Sequence, residues 1–212
     1  MRKQILISLI VIAFSSSIFA QSSRMGSASS TQLLVVPSAK YLSGGGAAAS
    51  ATGMDAAFWN PAGLASLKKP SVVFMLQPWL VDINMLFTGG AVVIPGVGNI
   101  GFGITQMDYG EMDVTTLEYQ EGTGEKFKAT DLAASFTYSR KIVSWFSFGS
   151  SAKYVRSNIW HSSASAFALD LGVLVNTKFF SFTGKDEDGL NIGMSISNYG
   201  TRMQFDGIDS YQ

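Results

Sequence analysis

The chain has 212 residues, no cysteine, one histidine and a formal charge of zero, with 15 basic and 15 acidic side chains. These figures exclude a disulfide framework, thiolate metal sites and cysteine catalysis, and they give no basic face for nucleic acid. A mean hydropathy of +0.22 with only 14% charged residues requires a large buried core or apolar side chains placed in lipid.

Arg2 and Lys3 precede an apolar run from Ile5 to Phe14, followed by Ser15, Ser16, Ser17 and Ile18-Phe19-Ala20. This is the layout of a cleavable secretory signal over residues 1–20, with cleavage expected between Ala20 and Gln21. The run is well short of the ~20 residues that a spanning helix needs. Loss of Arg2 and Lys3 leaves 13 basic against 15 acidic residues. Beyond the signal no unbroken apolar stretch approaches ~18 residues, which excludes helical membrane spans. The non-helical solution in lipid is a closed β-barrel, because every backbone polar group must be paired internally.

Residues 21–69 differ in texture from the remainder. Gln21 to Ser30 is Ser-rich, and Leu33 to Ser66 mixes Gly44-Gly45-Gly46 and Ala47-Ala48-Ala49 with Asp55-Ala56-Ala57-Phe58-Trp59-Asn60-Pro61-Ala62-Gly63-Leu64. Helix formers interrupted by breakers predict short helical turns and loops, with Asn60-Pro61 as a turn and Gly63 as a stop.

From Pro70 the period becomes two. The alternation predicts strands over Ser71–Trp79, Leu86–Ile94, Asn99–Met107, Thr130–Arg140, Phe146–Arg156, Ala164–Asn176 and Leu190–Tyr199. Phe167, Leu169, Leu171, Val173 and Val175 alternate with Ala166, Ala168, Asp170 and Gly172; Leu132, Ala134, Phe136 and Tyr138 alternate with Asp131, Ala133, Ser135, Thr137 and Ser139. A helix would return apolar residues every three or four positions, and these segments do not. Their lengths suit tilted transmembrane strands of roughly 9–11 residues. Pro95–Gly98 and Lys141–Ser144 read as tight turns on one side, and Gly110–Lys126 as a long polar loop facing outward on the other. Trp79, Tyr109, Tyr119, Tyr138, Trp145, Tyr154, Trp160 and Tyr199 are expected near strand ends, as in an interfacial girdle.

An odd number of strands would leave two bare edges. The expectation is therefore an all-β, antiparallel transmembrane barrel that is incomplete in this chain, its strands lying in residues 70–212. A smaller eight-stranded barrel with a strand hidden in Glu111–Gln120 is the alternative. Asp131 and Asp170 fall on the Gly/Ala/Ser face; in lipid each would cost ~2–4 kcal/mol or less, so both are expected to line a wet lumen.

The stretch from Gly44 to Ala65, with Phe58-Trp59-Asn60-Pro61-Ala62-Gly63-Leu64 at its centre, resembles the N-terminal region of the PorV/PorQ family of outer-membrane proteins, relatives of the FadL-type transporters. Asp131–Arg140, Gly149–Tyr154 and Asn191–Gly200 are similar to strands of that family, and the resemblance covers Leu33 to Phe205. Tyr41-Leu42-Ser43 departs from it, standing where the family carries an Arg-x-x-Gly-Met-Gly pattern. The resemblance implies a barrel of about fourteen strands, of which about seven are present here. It also implies a luminal N-terminal element, anchored by Trp59 and Asn60, with Pro61 and Gly63 setting its turn. That motif either lines a ligand or only packs.

No catalytic constellation is present, and a non-enzymatic role without cofactor or metal is expected. His161 stands alone in a polar hairpin end, and Gly44–Gly46 lacks the Lys-Ser/Thr of a phosphate loop. Asp186-Glu187-Asp188 lacks the spaced ligands of a calcium loop and reads as a solvated turn.

Three functions compete. The resemblance implies a component of type IX protein secretion at the outer membrane, with secretion-system proteins or exported cargo as partners. The alternative is a FadL-like transporter of hydrophobic small molecules, with Phe58, Trp59 and Leu64 as pocket walls. The third is an exported soluble β-protein, for which the second strand face would carry Lys, Glu and Thr rather than Gly, Ala and Ser.

Overall fold

The computed structural model describes residues 30, 33, 35, 38, 47–79, 81–184 and 189–207. The signal segment, Gly44–Gly46 and the Asp186-Glu187-Asp188 carboxylates lie outside the described residues.

The chain is all-β. Strands β1 (Ser71–Pro78), β2 (Asn84–Ile94), β3 (Gly98–Asp113), β4 (Lys126–Val143), β5 (Phe146–Ile159), β6 (Ser162–Asn176) and β7 (Asn191–Gly200) form one antiparallel sheet in chain order. A two-residue β8 (Asp206–Gly207) pairs with Ser162 and Ser163 of β6. Among the described residues β1 pairs only with β2, and β7 only with β6. All seven expected strands are present.

The largest difference lies between β3 and β4. The ladder continues past Asp108 through a bulge and resumes as Glu111↔Lys128, Met112↔Phe127 and Asp113↔Lys126. The bulge shifts the alternation by one, and the polar residues beyond it hide the period. The expected Gly110–Lys126 loop therefore shrinks to residues 114–125, tied by Val114 N–H to the Glu125 carbonyl (2.9 Å) and Thr123 N–H to the Val114 carbonyl (2.8 Å). Glu111–Gln120 contains no separate strand: Glu111 to Asp113 merely prolong β3.

The β2–β3 and β4–β5 connections are tight turns at one end of the sheet, and the 177–190 connection shares that end. At the other end lie residues 79–83, loop 114–125 and the Trp160-His161 turn. These are called the turn end and the loop end below.

The two faces of the sheet differ in the sense opposite to that of a soluble sheet. Small and polar residues make up much of the covered face, with Gly101, Gly103 and Thr105 on β3, Thr137 and Ser139 on β4, Ser147, Gly149 and Ser151 on β5 and Gly172 on β6, beside the larger Met85, Phe87, Met107, Val155 and Leu174. The bare face carries Val72, Phe74, Leu76, Phe102, Phe136, Phe167, Leu169, Leu171, Ile192, Met194 and Ile196, all exposed.

The covering is supplied by the N-terminal segment. It forms short 3₁₀ turns at Ala47–Ser50, Asp55–Phe58 and Pro61–Ser66. The Pro61–Ser66 turn lies against β3, β4, β5 and β6, and Ala47–Ser50 against β7. Met54, Ala57 and Leu64 pack with Ala91 of β2, flanked by Leu67 and Val73; Leu33 packs separately on Ala133 and Val155.

Glycines make this contact possible. A Cβ on Gly149 would strike the Pro61 carbonyl carbon and the Ala62 nitrogen, one on Gly172 would strike Asn60 Oδ1, and one on Gly193 would strike the Ala49 carbonyl. The three lie on adjacent strands and give the segment a floor without side chains.

Gly149→Ala is expected to lower the unfolding free energy by about 1–3 kcal/mol through overpacking, read as a shift in denaturant midpoint. Gly96→Ala provides the contrast: φ is +79° there and nothing lies within 4 Å of the added Cβ, so only the backbone penalty of about 1 kcal/mol remains.

Candidate functional site

The candidate site is the covered face together with the segment that caps it. Asn60 is its hub. It is fully buried and extended (φ −137°, ψ 105°), the conformation favoured before a proline. Its Oδ1 accepts from the Ala62 N–H at 3.0 Å, capping the Pro61–Ser66 turn. Its Nδ2 donates to the Ala49 carbonyl at 2.6 Å and the Val173 carbonyl at 3.0 Å. One side chain thus joins two pieces of the segment to β6.

The Asn60-Pro61 pair begins a 3₁₀ turn, with Pro61 at its first position. Gly63 is not a stop, contrary to expectation: it lies inside that turn. A Cβ there would collide with the Ala51 carbonyl and approach Ala56 Cβ at 2.9 Å, so close packing explains the glycine.

Trp59 and Phe58 are half-buried and meet edge to face at 5.4 Å, and Phe58 meets Phe87 at 6.4 Å. Trp59 Nε1 is buried without a hydrogen-bond partner among the described residues. Leu64 is completely enclosed and offers no wall to a ligand pocket. Further along the segment, Asn99 Nδ2 donates to the Leu64 and Leu67 carbonyls (2.7 and 3.1 Å) and Ser139 Oγ to the Ala62 carbonyl (3.3 Å). Side chains of the sheet therefore satisfy carbonyls that a 3₁₀ turn leaves open.

Toward the loop end the covered face becomes ionic. Thr137 Oγ1 and Ser151 Oγ are hydrogen-bonded at 2.8 Å. Lys153 and Asp170, 3% and 0% exposed, form an ion pair at 2.7 Å between Nζ and Oδ2. Nζ also donates to Asn198 Oδ1 at 3.0 Å and lies 5.3 Å from the centre of the Phe58 ring, within cation–π range. Asp170 Oδ1 accepts from the Asn198 N–H at 2.7 Å. Asn198 has φ +58°, and the β6–β7 register slips between Leu169 and Leu171. The carboxylate replaces a ladder bond at a bulge, where Asn tolerates the left-handed region.

Asp131 and Asp170 both lie on the covered face. Asp131 is buried and accepts from Tyr109 Oη at 2.7 Å. Asp170 is wholly engaged by Lys153 and Asn198 and faces no open space. The reading from sequence missed Lys153. In the structure Lys153 pairs with Ala168 and Ser151 with Asp170, so the two charges are diagonal neighbours on the small-residue face, a relation that appears only once the register is known.

Past the bulge, at the loop end, Lys128 (3.2 Å) and Lys126 (3.7 Å) flank Glu111. The hydrogen bond and charge of Lys128, then the charge of Lys126, hold the exposed Glu111 carboxyl below its ordinary value. A cavity of about 760 Å³ there is lined mainly by apolar side chains, Met112, Val114, Phe127, Ile159, Trp160 and Phe205, together with Asp113, Thr115 and Ser162. Phe127 and Trp160 are 5.9 Å apart, and the exposed His161 stacks on Trp160 at 4.3 Å. No protein-family model matches the chain, and comparison with curated proteins finds no match.

Asn60→Ala is expected to cost about 2–4 kcal/mol, because buried carbonyls of Ala49 and Val173 lose their donor. The cost appears in the denaturant midpoint, together with faster protease cleavage within residues 47–66. Unchanged cleavage would show that the segment is held by other means.

Lys153→Met is expected to cost about 3–5 kcal/mol by leaving the Asp170 carboxylate buried and unpaired. Lys153→Met combined with Asp170→Leu should recover much of that loss, though not the bond to the Asn198 N–H. A double-mutant cycle on unfolding midpoints measures the coupling.

Proposed function

We propose that this chain forms part of an outer-membrane β-barrel of the PorV/PorQ kind and serves as a component of type IX protein secretion. The observation that carries the barrel reading is the inverted sheet: large apolar side chains on the bare face, small and polar ones under the cap. Phe74, Phe167 and Met194 are 69%, 66% and 69% exposed. In water so broad an apolar surface would aggregate; in lipid it is the favourable arrangement. On β6 the bare-face run Phe167–Val175 covers nine positions, roughly 30 Å along the strand at ~3.3 Å per residue, enough for a tilted crossing of the apolar band.

Aromatic placement gives partial support. Trp79, Trp145, Trp160 and Tyr199 are exposed near strand ends, as an interfacial girdle requires. Tyr119 instead lies within loop 114–125, and Tyr154 is well inside β5. The reading also requires strand partners for the free sides of β1 and β7, since an unpaired edge is not tolerated in lipid.

Secretion is preferred to conduction because the lumen of such a barrel would be closed at the turn end by a segment seated on glycine backbone. A plugged barrel suits docking, with loop 114–125 as the gripping element. FadL-like uptake of hydrophobic small molecules is the second reading, favoured by the apolar cavity at the loop-end mouth. In neither reading is the chain an enzyme: the buried charges serve the packing of the segment.

The test is a pull-down of the tagged protein from detergent-extracted native outer membranes, with bound proteins and lipids identified by mass spectrometry. Recovery with translocon components or exported cargo is expected. Recovery alone with fatty acids or similar apolar molecules would favour uptake, and a protein found in the soluble periplasm would overturn the barrel reading.

A further inference from the structure

We infer that Lys153, Asn198 and Asp170 form an intramolecular cross-linking site, at which Lys153 Nζ and Asn198 Cγ join in an amide bond with loss of ammonia. Three adjacent strands supply the groups: the amine comes from β5, the acid from β6 and the carboxamide from β7. Nζ donates to Asn198 Oδ1 at 3.0 Å, and Oδ1 is one C=O bond of ~1.23 Å from the carbon to be attacked. Asp170 Oδ2 lies 2.7 Å from the same Nζ, and its Oδ1 accepts from the Asn198 N–H at 2.7 Å. One carboxylate therefore holds the nucleophile and the electrophile together, which makes their encounter a unimolecular step.

The β7 bulge creates this arrangement. The ladder passes from Leu169↔Tyr199 to Leu171↔Ile196, and Asn198 stands in the gap with φ +58°. Bulges re-aim side chains in this way. The Phe58 ring lies 5.3 Å from Nζ, and the buried Ala168 stands directly opposite Lys153. A proton moved from Nζ to Asp170 Oδ2 leaves neither group charged in those apolar surroundings.

The reaction balances without a cofactor. Nζ passes one proton to Asp170 Oδ2, the general base, and becomes a neutral amine with a free electron pair. That pair forms the Nζ–Cγ bond as the C=O π pair shifts onto Oδ1. Return of the pair to C=O breaks the Cγ–Nδ2 bond, and Nδ2 takes the second Nζ proton and leaves as ammonia. Asp170 keeps the first proton, so a neutral amide stands beside a neutral acid, and no oxidant or reductant takes part. The link joins positions 45 residues apart in a chain that has no cysteine. It stabilises as a disulfide does, by constraining the unfolded state, and reduction does not open it. Its loss adds to that expected for Lys153→Met, which also removes the nucleophile. The chemistry needs only the folded sheet, so it is independent of the secretion and uptake readings.

The full chain, folded in a neutral detergent, would be denatured, digested with trypsin and read by tandem mass spectrometry. The expected product is a branched peptide joining Lys153 to Asn198, uncut after Lys153 and lighter than its two component peptides together by one ammonia. Lys153→Arg keeps a cation opposite Asp170 but removes the primary amine, and Asp170→Asn keeps the shape of the acid but removes the base. Both variants should give unbranched peptides only, and Lys153→Arg should unfold at a lower denaturant midpoint than wild type. Circular dichroism identifies the variants that fold. Absence of the branched peptide from the folded wild-type chain would overturn the inference, whatever the variants do. Its persistence in folded Asp170→Asn would overturn the role of the carboxylate. A branch onto Asp170 with loss of water would overturn the assignment to Asn198.

Discussion

Close approach of two backbones is the constraint on which the rest of the structure depends. The segment around Asn60 has no regular ladder with the sheet, yet it lies directly on it. That is possible only where the sheet presents no Cβ, at Gly149, Gly172 and Gly193. It is affordable only where carbonyls of the segment find donors. Asn60 donates to the Ala49 carbonyl of the segment and the Val173 carbonyl of β6, and Asn99 to the Leu64 and Leu67 carbonyls, all within 3.1 Å. Glycine on the sheet and asparagine on both partners are two halves of one solution: the first permits the approach, the second satisfies what the approach desolvates.

The same constraint explains the inverted faces. A sheet that receives a backbone-rich cap cannot present large side chains where that backbone touches it, so those positions are glycine, and larger residues such as Phe87, Val155 and Leu174 stand beside the contact. Most of the large residues of β6 and β7 collect on the opposite face, where they are exposed. The apolar clusters are small, Met54, Ala57, Leu64 and Ala91 with their flanks, and Leu33 against Ala133 and Val155, with Met85, Phe87, Met107 and Leu174 buried besides. Polar pairs fill the remaining space. Lys153 and Asp170 contribute little net stability against an apolar pair of equal volume, but they set geometry. Asp170 draws the Asn198 N–H out of the ladder and Lys153 grips the Asn198 side chain, so one carboxylate and one cation fix the position of the β7 bulge.

Much of this architecture was legible in the amino-acid sequence, for a physical reason. Period-two alternation records burial directly, so Leu132–Tyr138 and Phe167–Val175 declared both their strands and their faces. It fails where burial ends. β3 beyond Asp108 and β4 before Thr130 lose the apolar signal, and the bulge in β3 shifts the parity, so the paired residues Glu111, Met112, Asp113 and Lys126 looked like loop. Gly63 was misread because glycine serves both as a helix terminator and as a close-contact residue, and only the position of the Ala51 carbonyl distinguishes the two. Lys153 was overlooked because its partner is diagonal, which depends on register rather than on either strand alone.

The position of the cap also bears on what kind of motion the protein can use. Moving the Pro61–Ser66 turn off the sheet would strip donors from the carbonyls of Ala62, Leu64, Leu67 and Val173 together, and leave the glycine floor with no side chain to cover it. Such losses are cooperative, since Asn60 bonds the segment to itself as well as to β6. At the loop end, Met112, Val114 and Phe127 meet the cavity through apolar side chains, which shift at less cost than hydrogen-bonded ones, while backbone bonds from Val114 to Glu125 and from Trp160 to Lys128 hold its frame. In the proposed barrel, adaptation to a partner would therefore fall at the loop end. The turn end is the rigid side, suited to keeping the segment seated while the mouth changes shape.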